Sequence, residues 1–84
     1  MSEEVKVGEV IKFFAKPSVA AIKATGPIKV GDELHFKGAT TDFVEVVVSM
    51  QIDNTEVTEV GSGALVGIKT KDRVRPGDHV MKAP

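Results

Sequence analysis

Apolar and polar residues alternate with a period of two along most of the chain, and very little of it follows the 3.6-residue period of a helix. The clearest stretch is Phe43 to Ile52, where Val44, Val46, Val48, Met50 and Ile52 share one face and Glu45, Val47, Ser49, Gln51 and Asp53 the other. This predicts one long, half-buried strand. A second alternation follows Gly31-Asp32, where apolar Leu34 and Phe36 are interleaved with polar His35 and Lys37. Glycine takes a positive φ without a Cβ penalty and aspartate bonds its own turn backbone, so Gly31-Asp32 predicts a sharp corner. The corner returns near the end of the chain as Arg75-Pro76-Gly77-Asp78, ahead of a final strand from His79 to Lys82.

Between these landmarks the pattern predicts a first strand from Val5 to Phe14, with a change of parity at Gly8-Glu9 that marks a bulge or a strand lead-in. Phe13 and Phe14 are adjacent, so a strand sends them to opposite faces. One should enter the core; the other should be covered by the chain itself or by a partner. Pro17 ends this strand because it has no N–H for a ladder, and Val19 to Ala24 returns. Glu56 to Val60 fits a short strand or a helical turn, and Ala64 to Ile68 is a strand with a close backbone approach at Gly67. Six or seven short strands at this spacing predict an all-β fold, with a closed barrel preferred because closure removes exposed edges. Val10, Ile22, Val30, Leu34 and Phe36, with Val46, Val48, Val66 and Ile68, are the expected inward residues.

At 84 residues the chain suits a single domain, residues 1–84, and 42% hydrophobic content is ordinary for a folded protein. Cysteine is absent, so neither a disulfide framework nor a thiolate metal site is available, which fits a cytoplasmic protein. The acidic start and short apolar runs predict neither secretion nor membrane insertion.

Net charge is −1 but uneven: +1 over residues 1–28, −5 over 29–68 and +3 over 69–84. Lys69, Lys71, Arg73 and Arg75 recur at every second position, which on an extended strand puts four cations on one face as a row able to track phosphates. Lys12, Lys16 and Lys82 would extend the row if the chain ends meet. The competing reading is an ordinary solvated strand face, since aromatic residues that would stack on bases are not interleaved.

Catalytic chemistry finds little purchase. His35 shares a strand face only with Glu33, too few ligands for a metal. Ser49 has no activating histidine with an orienting carboxylate nearby in sequence, and Asp32 and Glu33 point to opposite faces. No catalytic residue, metal or cofactor is expected.

Three segments in order resemble the second, β-barrel domain of translational GTPases such as elongation factor Tu. They are Val7-Gly8-Glu9-Val10 with its return strand, the corner from Ile28 to Leu34, and the half running from Val46 through Gly63-Ala64-Leu65-Val66-Gly67-Ile68 to Val80. The resemblance implies a small closed Greek-key β-barrel acting as a non-enzymatic binding module, with RNA or a translation component as partner and Lys69, Lys71, Arg73 and Arg75 as the RNA contacts. Three departures limit it. No Gly-x-x-x-x-Gly-Lys-Ser/Thr run exists, so GTP binding is not expected. At the third corner Ala64 stands where the family has aspartate. The Asp53-Asn54-Thr55 tip carries no basic or aromatic residue. The alternative reading is an accessory subunit that docks onto a larger enzyme through Phe13 or Phe14.

Overall fold

Three corners of the same construction hold the chain. In the computed structural model, which describes residues 4–82, Gly31, Gly63 and Gly77 all have φ between 93° and 99°. The N–H of each glycine donates to the carbonyl of a distant buried residue, whose own N–H donates back to the residue after the glycine. Gly31 and Asp32 grip Val47 in this way (2.8 and 2.9 Å), Gly63 and Ala64 grip Ala24 (2.8 and 2.7 Å), and Gly77 and Asp78 grip Val10 (2.8 and 2.8 Å). At the first and third of these the aspartate also accepts a backbone N–H three residues back, from Lys29 to Asp32 (3.0 Å) and from Arg75 to Asp78 (2.9 Å). The Gly63 corner has Ala64 in that position and lacks this bond, as the sequence indicated.

The corners divide the chain into ten strands: β1 (Val5–Phe14), β2 (Val19–Ala24), β3 (Ile28–Lys29), β4 (Glu33–Lys37), β5 (Asp42–Val46), β6 (Met50–Ile52), β7 (Thr55–Val57), β8 (Glu59–Val60), β9 (Leu65–Lys69) and β10 (His79–Lys82). Eight form one sheet in the order β5-β4-β10-β1-β2-β9-β6-β7, and β3 pairs with β8 separately. All the described pairings are antiparallel. The sheet curls round one core in which Phe36, Ile22, Ile28, Leu34, Met50 and Ile68 are the largest side chains sealed from solvent. The fold is all-β, as expected. It is not a closed Greek-key barrel of six or seven strands: β5 and β7 end the sheet and do not pair with each other. No helix among the described residues is long and apolar enough to cross a membrane.

The expected long strand from Phe43 to Ile52 is two strands. Val47-Val48-Ser49 leaves the ladder between them, because the first corner takes both backbone groups of Val47. This bend reverses the parity. Val47 is buried, whereas Val46 and Val48, expected inward, are 48% and 68% exposed. Val30, at the corner itself, is also exposed. The other six expected inward residues are buried.

Strand β1 carries two irregularities, at Val7 opposite β10 and at Ile11 opposite β2. They let Val7 and Val10 both face the core, while Val5 and Ile11 are exposed. Gly8 is required by packing: a Cβ there would lie 2.7 Å from Ile22 Cγ2. At the other end, β6 and β7 join through Asp53-Asn54, both with positive φ (50° and 62°), the arrangement of a tight two-residue hairpin.

Candidate functional site

The hairpin of β1 and β2 ends in Phe13 and Phe14, and the strand pleat separates them as expected. Phe13 packs against the core and is half-buried. Phe14 is 44% exposed, with Lys12 Nζ 5.1 Å from its ring centre, a cation–π contact. Each ring lines its own depression. Phe13 joins Lys12, Ala15, Arg73, Val74, Arg75 and Pro76 around a cavity of 270 Å³. Phe14 joins Pro17, Val19, Gln51, Asp53, Asn54 and Gly67 around a larger groove of 480 Å³. A Cβ at Gly67, which lines that groove, would press on Val19 Cγ1 at 3.2 Å.

The basic row does not lie on a strand. Only Lys69 is in β9; Lys71, Arg73 and Arg75 belong to the loop that leads to the last corner. This loop is pinned by three buried residues, Thr70, Val74 and Asp78. Thr70 N–H donates to the Ser18 carbonyl (2.8 Å), Ser18 Oγ donates to the Thr70 carbonyl (2.5 Å), and Thr70 Oγ1 donates to the Asp72 carbonyl (2.8 Å). Val74, sealed in the core between two arginines, leaves Arg73 and Arg75 bracketing the cavity of Phe13. Lys12 joins them. Lys82 does not, because its ammonium binds Asp32 Oδ2 and the Pro27 carbonyl (both 3.2 Å) at the first corner. Among the described residues Lys12, Lys69, Lys71, Arg73 and Arg75 make no ion pair. Glu45 reaches the loop through its carboxylate, which accepts the Lys71 N–H at 2.8 Å.

His35 has partners that the sequence did not suggest. Its Nδ1 lies 2.8 Å from Glu4 Oε2 and its Nε2 2.5 Å from Asp42 Oδ1. Glu4 leads into β1, 31 residues from His35; Asp42 opens β5 only seven residues on, and the pairing of β4 with β5 brings it to the ring. The Asp42 carboxylate, then that of Glu4, outweighs burial and raises the imidazole above its usual value, while His35 in turn lowers Asp42. An imidazolium donating from both nitrogens has no lone pair to accept a proton, so His35 clamps strands and is not poised as a base. Among the described residues no group of three or more His, Asp or Glu is arranged to hold a metal ion.

No family model matches the chain. Over 78 residues, 92% of its length, it is 41% identical to an uncharacterized protease of Methanocaldococcus jannaschii, of which that segment is only 19%. Over 82 residues it is 28% identical to a collagenase of Porphyromonas gingivalis, covering 20% of that protein. The chain therefore spans about a fifth of the length of the curated relatives it matches. Among solved structures, the C-terminal domain of a Geobacillus thermoleovorans protein assigned to the U32 peptidases superposes with a TM-score of 0.89 at 20% identity, covering 93% of this chain and 99% of the other. These matches correct the resemblance to elongation factor Tu and, with it, the translational and RNA-binding reading built on Lys69, Lys71, Arg73 and Arg75. The corner-and-strand pattern is real, but it reports architecture, which unrelated functions share. The fold is the one adopted by that C-terminal peptidase domain.

Proposed function

We propose that the chain is an accessory module of a U32-type peptidase, one folded unit that docks onto the catalytic portion and leaves bond cleavage to it. The observation that carries this reading is the shape of the match: nearly all of this chain aligns with about a fifth of a protease. A neighbour of the same fold and size forms the C-terminal domain of a U32-assigned protein. His35, held by two carboxylates, is committed to structure, which is consistent with a binding role. The groove beside Phe14 is the docking face we favour, because it pairs an exposed aromatic with Pro17 and Val19 on a hairpin end.

The test uses the M. jannaschii relative with its matched segment deleted, mixed with this chain. The expected result is association seen by size-exclusion chromatography, weakened by Phe14→Ala, with peptide hydrolysis only where the catalytic portion is present. Cleavage of a peptide by this chain alone, or failure of the two to associate at tens of micromolar, would overturn the reading.

A further inference from the structure

The cavity of Phe13 has a different character from the groove of Phe14, and the docking reading above makes no use of it. Apolar Phe13, Ala15, Val74 and Pro76 line it together with cationic Lys12, Arg73 and Arg75. The loop that carries the arginines is held in place. Val74 is sealed in the core between the arginines, Arg75 N–H is capped by Asp78, and Gly77 is tied to Val10. Bringing two guanidinium stems to one small cavity therefore costs little further backbone ordering on binding.

We propose that this cavity binds an extended, acidic polypeptide segment, seating one aliphatic side chain against Phe13 and neighbouring carboxylates on Arg73 and Arg75. Size supports this occupant. At 270 Å³ the cavity is below the range of drug-sized ligands, roughly 300–1,000 Å³, and suits a side chain. Guanidinium groups match carboxylates in forked, paired hydrogen bonds. The molecule already shows a carboxylate bound at this loop, where Glu45 takes the Lys71 amide. Burial favours a peptide over a nucleic acid, since the half-buried Phe13 ring is a poor platform for stacked bases.

The test measures fluorescence anisotropy of a labelled, acetylated and amidated peptide of alternating Glu and Leu at low salt. Controls are the same peptide with Gln for Glu and a single-stranded oligonucleotide of equal charge. The expected result is saturable binding of the acidic peptide, lost with Gln for Glu. Arg73→Gln with Arg75→Gln should weaken it at least about tenfold, equivalent to ~1.4 kcal/mol, and Lys23→Gln on β2 should leave it unchanged. Both arginines are exposed, so circular dichroism of the double variant should match the parent. Phe13→Leu, which keeps an apolar lining, should weaken binding less than the arginine pair. Equal binding of the Gln peptide, undiminished binding by the arginine variant, tighter binding of the oligonucleotide, or no binding at low salt would each overturn the proposal. None of these outcomes depends on the peptidase portion, so this inference and the docking reading fail separately.

Discussion

The first and last corners have the same chain geometry but different surroundings. At Gly31-Asp32 the carboxylate is near the surface and shared: Asp32 caps Lys29 N–H and ion-pairs with Lys82. Burial pushes its carboxyl up, but the Lys29 amide and the Lys82 ammonium prevail and hold it below the usual value. At Gly77-Asp78 the aspartate is buried, 5% exposed as a residue, and its carboxylate caps Arg75 N–H and packs so closely on Gly38 that a Cβ there would collide with it. The strands that leave the corners also differ. The third residue after Asp32 is His35, clamped by two carboxylates; the third after Asp78 is Met81, its cross-strand neighbour. Identical backbone hydrogen bonds are thus backed by an ion pair at the first corner and by burial against Gly38 at the last.

Substituting the two aspartates should break this equivalence. Asp78→Ala strips the cap from a part-buried amide and leaves a void against Gly38, so a loss of about 2–3 kcal/mol is expected in urea melts. Asp32→Ala removes a cap and an ion pair close to water and should cost about 1 kcal/mol. Equal losses would show that surroundings do not matter.

The Gly63 corner sharpens the comparison from the other side. Ala64 N–H donates to the Gly61 carbonyl as Asp32 does to Lys29 and Asp78 to Arg75. Ala64→Asp should therefore supply the missing cap, accept the Gly61 N–H, and raise stability by about 0.5–1 kcal/mol. A loss of stability would mean that the corner tolerates no charge beside Ala24.

The smallest effect is in pH. His35 has its folded-state pKa raised, so the stability its clamp contributes is complete below about 6.5, the unfolded value, and is lost as pH rises through the folded value. The groups facing it are Glu4 and Asp42, with Met81 beside it on β10 and Lys37 near Asp42. Denaturation midpoints should fall over that window in the parent and stay flatter in His35→Gln. Parallel profiles would remove His35 from the account.

Much of this was legible in the chain. Gly31-Asp32 and Gly77-Asp78 announce themselves because few residues tolerate their geometry, and Leu34, Phe36, Val66 and Ile68 alternate on strands that stay straight. The failure at Val46-Val47-Val48 has a physical cause: strand parity is a local signal, and the corner that bends this segment lies at Gly31, outside any local window. The site was partly legible for the same reason. Phe13 and Phe14 must part across a pleat, but that Phe13 meets Arg73 and Arg75 depends on Gly77 gripping Val10. The basic row looked like a strand face because alternation cannot distinguish a strand from a loop pinned at Thr70, Val74 and Asp78. The elongation-factor resemblance misled because its residues specify corners and pleats, and these constrain no ligand.

The three grips also set an order of assembly. Of the three pairs, Gly31 and Val47 are the least separated along the chain, Ala24 and Gly63 are further apart, and Val10 and Gly77 are the furthest. Closing a longer loop costs more chain entropy, though only logarithmically, so the widest closure is dearer than the narrowest by about 1 kcal/mol before any contact compensates it. The first corner should form early and the last late. Pulse-labelled hydrogen exchange would read this as protection of the Gly31 amide ahead of Gly77. Strand β1 lies near the middle of the finished sheet, yet its pairing with β10 closes the widest of these loops. Part of the centre of this sheet is thus among the last of it to be made.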